Sequence, residues 1–185
     1  MRRIATVLAL LRTKVSLSLG YIASDNAANR HAIESFYRSV WPRLHSLDCR
    51  LVIAGTICDW LAQQQPLVVD ERVLLMGRVD HIDNFYREIE IAINPVVFGS
   101  GLKIKTVEAL QFGKTVLTTQ HGMIGLEGID DSACRSVECV EDMADELLNW
   151  RVDREPSPHS AAQSTGLPAS ITQPYAELEA YLGER

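Results

Sequence analysis

The sequence has no Cys-x-x-Cys pair and no cysteine–histidine array with zinc spacing among Cys49, Cys58, Cys134 and Cys139. No metal site is expected, and the four cysteines read as reduced thiols of a cytoplasmic protein. Long apolar runs are lacking too. The stretch Ile4 to Leu11 is only eight residues, far short of the roughly 20 that a spanning helix needs. Arg2 and Arg3 before it resemble the start of a secretory signal, but Arg12 interrupts the run and no small-residue cleavage site follows. Residues 1–13 therefore read as an N-terminal extension or linker remnant, with at most a peripheral membrane contact. Positive charge is scarce as well: the net charge is -6, and the lysines and arginines are scattered. That balance excludes a broad nucleic-acid footprint, so any anion site must be local. Internal repeats are absent.

What remains is a chain of 185 residues, 46% hydrophobic and 23% charged, enough to bury the core of one domain. Apolar, β-prone runs alternate with helical patterns, the signature of a parallel sheet covered on both faces. The expected strands are Val15 to Ile22, Arg50 to Ala54, Arg72 to Met76, Ile89 to Asn94, Thr115 to Thr118 and Arg135 to Val140. About six strands predict an α/β fold, a Rossmann-like doubly wound parallel sheet. The spacing of Ile33, Phe36, Tyr37, Val40, Trp41, Leu44 and Leu47 predicts a helix with one apolar face. Val140, Met143, Ala144, Leu147 and Leu148 repeat the pattern. Shorter helices are expected over Cys58 to Gln64, Asn84 to Glu88 and Lys103 to Phe112. The domain is placed at residues 14–151, and the Pro- and Ser-rich composition of 152–185 reads as a linker with a last helix over Tyr175 to Leu182.

In a doubly wound sheet the ligand crevice opens at the carboxyl ends of the strands where strand order reverses. The loop after the fourth strand carries a Gly-rich turn and then a helix start, Gly99-Ser-Gly-Leu-Lys-Ile-Lys-Thr-Val-Glu108. Glycines let backbone approach a ligand, and unpaired N–H groups at a helix start favour a phosphate. Lys103 and Lys105 oppose the helix dipole by about 0.3–1 kcal/mol each unless an anion binds there. The plain alternative is a turn with two solvated lysines, since a lone Gly-x-Gly is weak. Glu108, three residues after Lys105, has two readings: an ion pair with that lysine, or a carboxylate kept ionised by it and accepting from vicinal sugar hydroxyls.

The ordered stretches Leu75-Met-Gly-Arg-Val-Asp, Ile-Ala-Ile-Asn-Pro, Gly-Ser-Gly-Leu-Lys-Ile-Lys-Thr-Val-Glu-Ala-Leu, Gly113-Lys-Thr-Val-Leu-Thr-Thr and Gly122-Met-Ile-Gly-Leu resemble the C-terminal domain of retaining GT-B glycosyltransferases, glycosyltransferase family four. Gly20-Tyr-Ile-Ala-Ser through Leu51-Val-Ile-Ala-Gly resembles the start of the same domain, so the likeness runs from about Val15 to Trp150.

The resemblance implies the C-terminal half of a GT-B fold. It implies a hexosyltransferase-type enzyme of polysaccharide biosynthesis that takes a nucleotide-diphosphate sugar as donor and uses no cofactor. Glu108 matches the second acid of the family's paired-glutamate motif and would hold the donor ribose. The place of the first acid is taken by Ser100, where Gly99, Gly101 and Leu102 would offer backbone to the donor. Gly77, Arg78 and Val79 match the loop that contacts the base. Ser24-Asp25-Asn26, with Arg30 and His31 beyond, stands where the family usually offers Arg and Lys, so Lys103 and Lys105 would carry the charge on the diphosphate. His121 and Gly122 would lie at the crevice edge, although His121 also reads as an ordinary exposed loop histidine. The acceptor-binding half, which normally brings a catalytic histidine, is expected in a separate N-terminal domain or chain, which would leave this chain incomplete or inactive when isolated. Two alternatives stay open. One is a non-catalytic nucleotide-sugar-binding fragment or degenerate paralogue. The other, a nicotinamide-dependent oxidoreductase, lacks the expected G-x-G-x-x-G after the first strand.

Overall fold

The computed structural model describes residues 17–64, 70–100, 103–126, 128–129 and 131–150. The expected extension over 1–13, the start of the first strand at Val15, and the last helix over Tyr175 to Leu182 lie outside the described residues, as do Gly101 and Leu102.

Six parallel strands form the sheet: β1 Leu17–Ile22, β2 Cys49–Ala54, β3 Val73–Gly77, β4 Ile91–Asn94, β5 Thr115–Thr119 and β6 Cys134–Val137. Their order is β3-β2-β1-β4-β5-β6, so chain direction across the sheet reverses between β1 and β4 as a doubly wound fold requires. Helices α1 Ala27–Ser39, α2 Ile57–Leu61, α3 Ile82–Glu88, α4 Ile104–Gln111 and α5 Met143–Asn149 provide the cover. Among the described residues no helix is long and apolar enough to cross a membrane.

Parallel strands buried on both faces must be apolar at consecutive positions. Alternation then sorts them by face. Leu51 and Ile53 join Leu19, Ile91, Ile93 and Leu117 in one cluster with α1, α2 and α5. Val52 and Ala54 face the other way, with Ala92 and Val116, against Phe85 and Tyr86 of α3 and Ala109 and Leu110 of α4.

Helix α1 starts where Asn26 caps it, its side chain accepting from the Asn29 N–H at 3.0 Å. The apolar periodicity running on to Leu47 does not continue as one helix. After Ser39 the chain tightens into a 3₁₀ turn over Trp41–Leu44, because Pro42 has no N–H for the next α-helical bond and its ring crowds the preceding turn. The buried positions Trp41 and Leu44 keep the spacing while the backbone changes. Likewise β4 begins at Ile91 and β6 ends at Val137, inside the apolar runs that suggested Ile89 and Val140. Ile89 and Val140 are buried from turns.

Gly55 fixes the strand ends that floor the crevice. It has φ of +94°, and a β-carbon there would lie 2.2 Å from the Ala23 carbonyl oxygen. Its N–H meanwhile donates to Gly77 O at 2.8 Å. Gly55→Ala is expected to cost at least about 2 kcal/mol, from positive φ plus the backbone clash, measured by urea denaturation. An unchanged midpoint would show that these strand ends can spread.

Candidate functional site

Because all six strands run the same way, the loops after β1, β2 and β3 meet the start of α4 at one edge of the sheet. They enclose an open cavity of about 680 Å³, within the range of small-molecule sites. Ile22, Ala23 and Ser24 line it from β1, and Asn29 from α1. Gly55 and Thr56 follow β2, Arg78, Val79, Asp80 and Ile82 follow β3, and Ile104, Lys105 and Glu108 come from α4.

Lys105 is the largely buried cation of this cavity. Its Nζ donates to Asn29 Oδ1 at 2.6 Å and sits 4.9 Å from the centre of the Tyr21 ring. Burial, helped by the charge of Lys103, pushes its pKa down to about 8. Glu108 stands one turn farther along the same helix face. Its Oε1 accepts from Tyr86 Oη at 2.9 Å, and Tyr86 is itself stacked on Phe112 with ring centroids 4.4 Å apart. Burial raises the Glu108 pKa, and the Tyr86 hydrogen bond opposes that rise. The ion pair between Lys105 and Glu108 that their spacing allows is replaced by two separate contacts. Each side chain is held by a rigid neighbour, and both still line one cavity.

Lys103 behaves differently from the solvated or phosphate-facing lysine expected of a first helical turn. It caps α4 from outside the helix and is 8% exposed. Its Nζ donates to Gly99 O at 2.9 Å and lies 3.2 Å from His121 Nε2. His121 is half-buried rather than free, its Nε2 2.8 Å from the same Gly99 oxygen. The Lys103 charge is therefore spent on holding the loop, whose Gly99 has φ of +118°.

Gly122 belongs beside this group for a packing reason. A β-carbon would lie 1.9 Å from Thr118 Oγ1, and the Gly122 N–H donates to Thr119 Oγ1 at 3.2 Å. Thr119 in turn donates from its hydroxyl to the Val96 carbonyl. Ser100 is exposed. Of the residues picked out in the sequence, Arg78, Val79, Lys105 and Glu108 line the cavity, whereas Gly99, Lys103, His121 and Gly122 gather at the neighbouring β4–β5 end. Gly77 supports the floor through Gly55.

Four further residues shape the site without having been given a role in it from the sequence: Asn29, Thr56, Asp80 and Tyr86. Asn29 carried a signal. It falls on the stripe of Ala32, Ile33, Phe36 and Val40, and a polar residue on an apolar helix face is a buried group in need of a partner. Near it, Arg30 is bound by Asp25 at 2.7 Å, and Asp25 N–H donates to Thr56 Oγ1 at 2.8 Å.

A doubly wound sheet with a ligand-sized crevice at its switch point defines a Rossmann-like α/β domain. Residues 16–151 match the family described as glycosyl transferases group 1, and the chain belongs to that family. None of the curated proteins matches the sequence. Among solved structures, the C-terminal domain of the glycosyl transferase group 1 family protein LpcC from Francisella tularensis is similar, with 17% identity and a TM-score of 0.56 over 74% of this chain and 76% of that one. Anabaena Alr3699/HepE, in complex with UDP and glucose, matches with 14% identity and a TM-score of 0.58 over 97% of this chain and 52% of its own. The catalytic domain of starch synthase IV from Arabidopsis thaliana, bound to ADP and acarbose, matches with 16% identity and a TM-score of 0.54, covering 100% of this chain and 42% of its own. The likeness is one of fold, and this chain spans about half the length of HepE.

The buried ammonium makes a prediction about pH. A lysine held near pKa 8 lowers folded-state stability at neutral pH by about 3 kcal/mol relative to a free lysine. The unfolded chain binds more protons between the folded and unfolded values, so that penalty is relieved as pH rises from about 8 towards 10.5. Urea denaturation at several pH values should show this rise in the wild type and lose it in Lys105→Met, which should be the more stable at pH 7. Parallel profiles would mean that the ammonium is not desolvated.

Proposed function

We propose that this domain binds the nucleotide-diphosphate sugar of a hexosyl transfer that proceeds with retention at the anomeric carbon. The observation that carries the reading is the placing of Lys105 and Glu108 on one cavity at the switch point. Among the described residues no carboxylate contacts the largely buried lysine, so an incoming diphosphate regains electrostatic energy that folding gave up. Glu108 keeps one oxygen on Tyr86 and has the other to accept from a ribose hydroxyl.

Sugar transfer breaks the bond between the anomeric carbon and the diphosphate oxygen through an oxocarbenium-like transition state. Negative charge then grows on the leaving diphosphate, where Lys105 and the first N–H groups of α4 stabilise it. Departure and attack on the same face of the sugar need no protein nucleophile from this half. The acceptor is brought by a second Rossmann-like half, whether continuous with this sequence or a separate chain, and a catalytic histidine belongs to that half.

One observation favours a second reading, donor binding without transfer: position 100, where the family's first acid would fall, is an exposed serine. Labelled-sugar transfer after adding a candidate N-terminal half separates the two readings.

Calorimetric titration with UDP, GDP and ADP tests donor binding itself. One nucleotide should bind preferentially, and Lys105→Ala and Glu108→Ala should each weaken it at least about tenfold. The lysine effect should shrink as salt is raised. Equal, weak and salt-insensitive affinities in all three proteins would remove the proposal.

A further inference from the structure

Asn29 is 8% exposed on the apolar face of α1, so each of its polar groups needs a partner. All four have one. Its N–H donates to Asn26 Oδ1 at 3.0 Å, and its carbonyl accepts from Tyr21 Oη at 3.1 Å. The side-chain nitrogen donates to Ser24 O at 2.9 Å, and Oδ1 accepts from Lys105 Nζ at 2.6 Å. A carbonyl can only accept and an ammonium can only donate, so the amide is oriented from both ends.

We propose that Asn29 is a positioning residue that holds the Lys105 ammonium over the crevice floor through a neutral amide, leaving its whole charge for the diphosphate of a donor. The inference rests on the reading of the crevice as a donor site. A carboxylate at position 29 would orient the ammonium equally well but cancel the charge that recruits the anion. An apolar side chain would leave the ammonium without its shortest acceptor. Only an uncharged acceptor both orients the lysine and preserves its field.

The other ionisable groups around Lys105 leave this role to Asn29. Tyr21 offers its ring face from β1, and burial keeps its hydroxyl protonated. Lys103, at the head of the same helix, adds repulsion. Glu108 is engaged by Tyr86, and Arg78 and Asp80 line the cavity from the loop after β3.

The test follows two quantities in the full chain: the lysine side-chain NMR titration, with Lys105→Met identifying the Lys105 signal, and calorimetric affinity for UDP, GDP and ADP across alkaline pH. In Asn29→Asp the Lys105 midpoint should rise by about one pH unit or more, while neutral-pH nucleotide affinity falls at least about tenfold. In Asn29→Ala the midpoint should fall below that of the wild type, and the alkaline loss of binding should begin at lower pH. Midpoints that stay put, or move the same way in both variants, would overturn the proposal by reducing Asn29 to a packing role. If Asn29→Asp does not fold, the direction of the shift in Asn29→Ala decides alone. A wild type that binds none of the three nucleotides defeats the donor-site reading, while the NMR midpoints still judge the hold of Asn29 on Lys105.

Discussion

A largely buried ammonium with no carboxylate beside it among the described residues is the constraint around which this crevice is built. Lys105 has an amide oxygen and an aromatic face for company, and these solvate a cation without neutralising it. The contrast with nearby Arg30 is instructive. That guanidinium lies at the same end of α1 but is closed off by a two-pronged contact with Asp25. Asp25 thus cancels the Arg30 charge, whereas the less solvated Lys105 is met by a neutral acceptor, where a lower local dielectric strengthens its field.

The two halves of the sheet edge do different work. On the β1–β3 side the strand ends open into the cavity. On the β4–β5 side they are tied shut: Thr118 hydroxyl donates to Asn94 O at 2.9 Å, Asn94 Nδ2 to Thr106 Oγ1 at 2.9 Å, and Lys103 and His121 converge on Gly99 O. A trans peptide sets the carbonyl of one residue antiparallel to the N–H of the next. With Gly99 O drawn inward to Lys103, the Ser100 N–H is turned the opposite way. A lysine that never reaches the cavity can still decide which backbone group the Gly-rich turn presents.

Much of the fold could be read from periodicity. Runs such as Leu51-Val-Ile-Ala and Ile91-Ala-Ile are apolar at every position because both faces of those strands are buried, and such runs announce themselves. The register of helix and turn was harder. Trp41 and Leu44 keep a helical spacing inside a 3₁₀ turn, so periodicity alone misses a backbone change that Pro42 imposes. In the site, the sequence placed Lys105 and Glu108 correctly on one helix face but not their partners. Those partners, Asn29 and Tyr86, lie 76 and 22 residues away, and only the crossing of β1 with α4 and the packing of α3 on α4 bring them close. For Lys103 and Lys105 the sequence offered equal claims. Their different fates follow from where the helix begins: Lys103 stands just outside α4 and turns back to Gly99 O, whereas Lys105 lies in the first turn and reaches Asn29 of α1.

The same boundary explains why the cavity-lining charge rides on the helix rather than on the Gly-rich turn itself. A cation in a first helical turn lies against the positive end of the dipole, a local conflict, and burial deepens it. Natural sequences keep such conflicts where something else resolves them. Among the described residues no carboxylate contacts Lys105: Asn29 orients the charge, Tyr21 faces it and Glu108 is turned to Tyr86. At the carboxyl end of β4, Asn94 Oδ1 is likewise buried with no hydrogen-bond partner among the described residues. The other such atom, Arg50 Nε, lies near the start of β2 at the opposite end of the sheet, so it is the Lys105 charge, held by neutral partners, that sets the switch point apart.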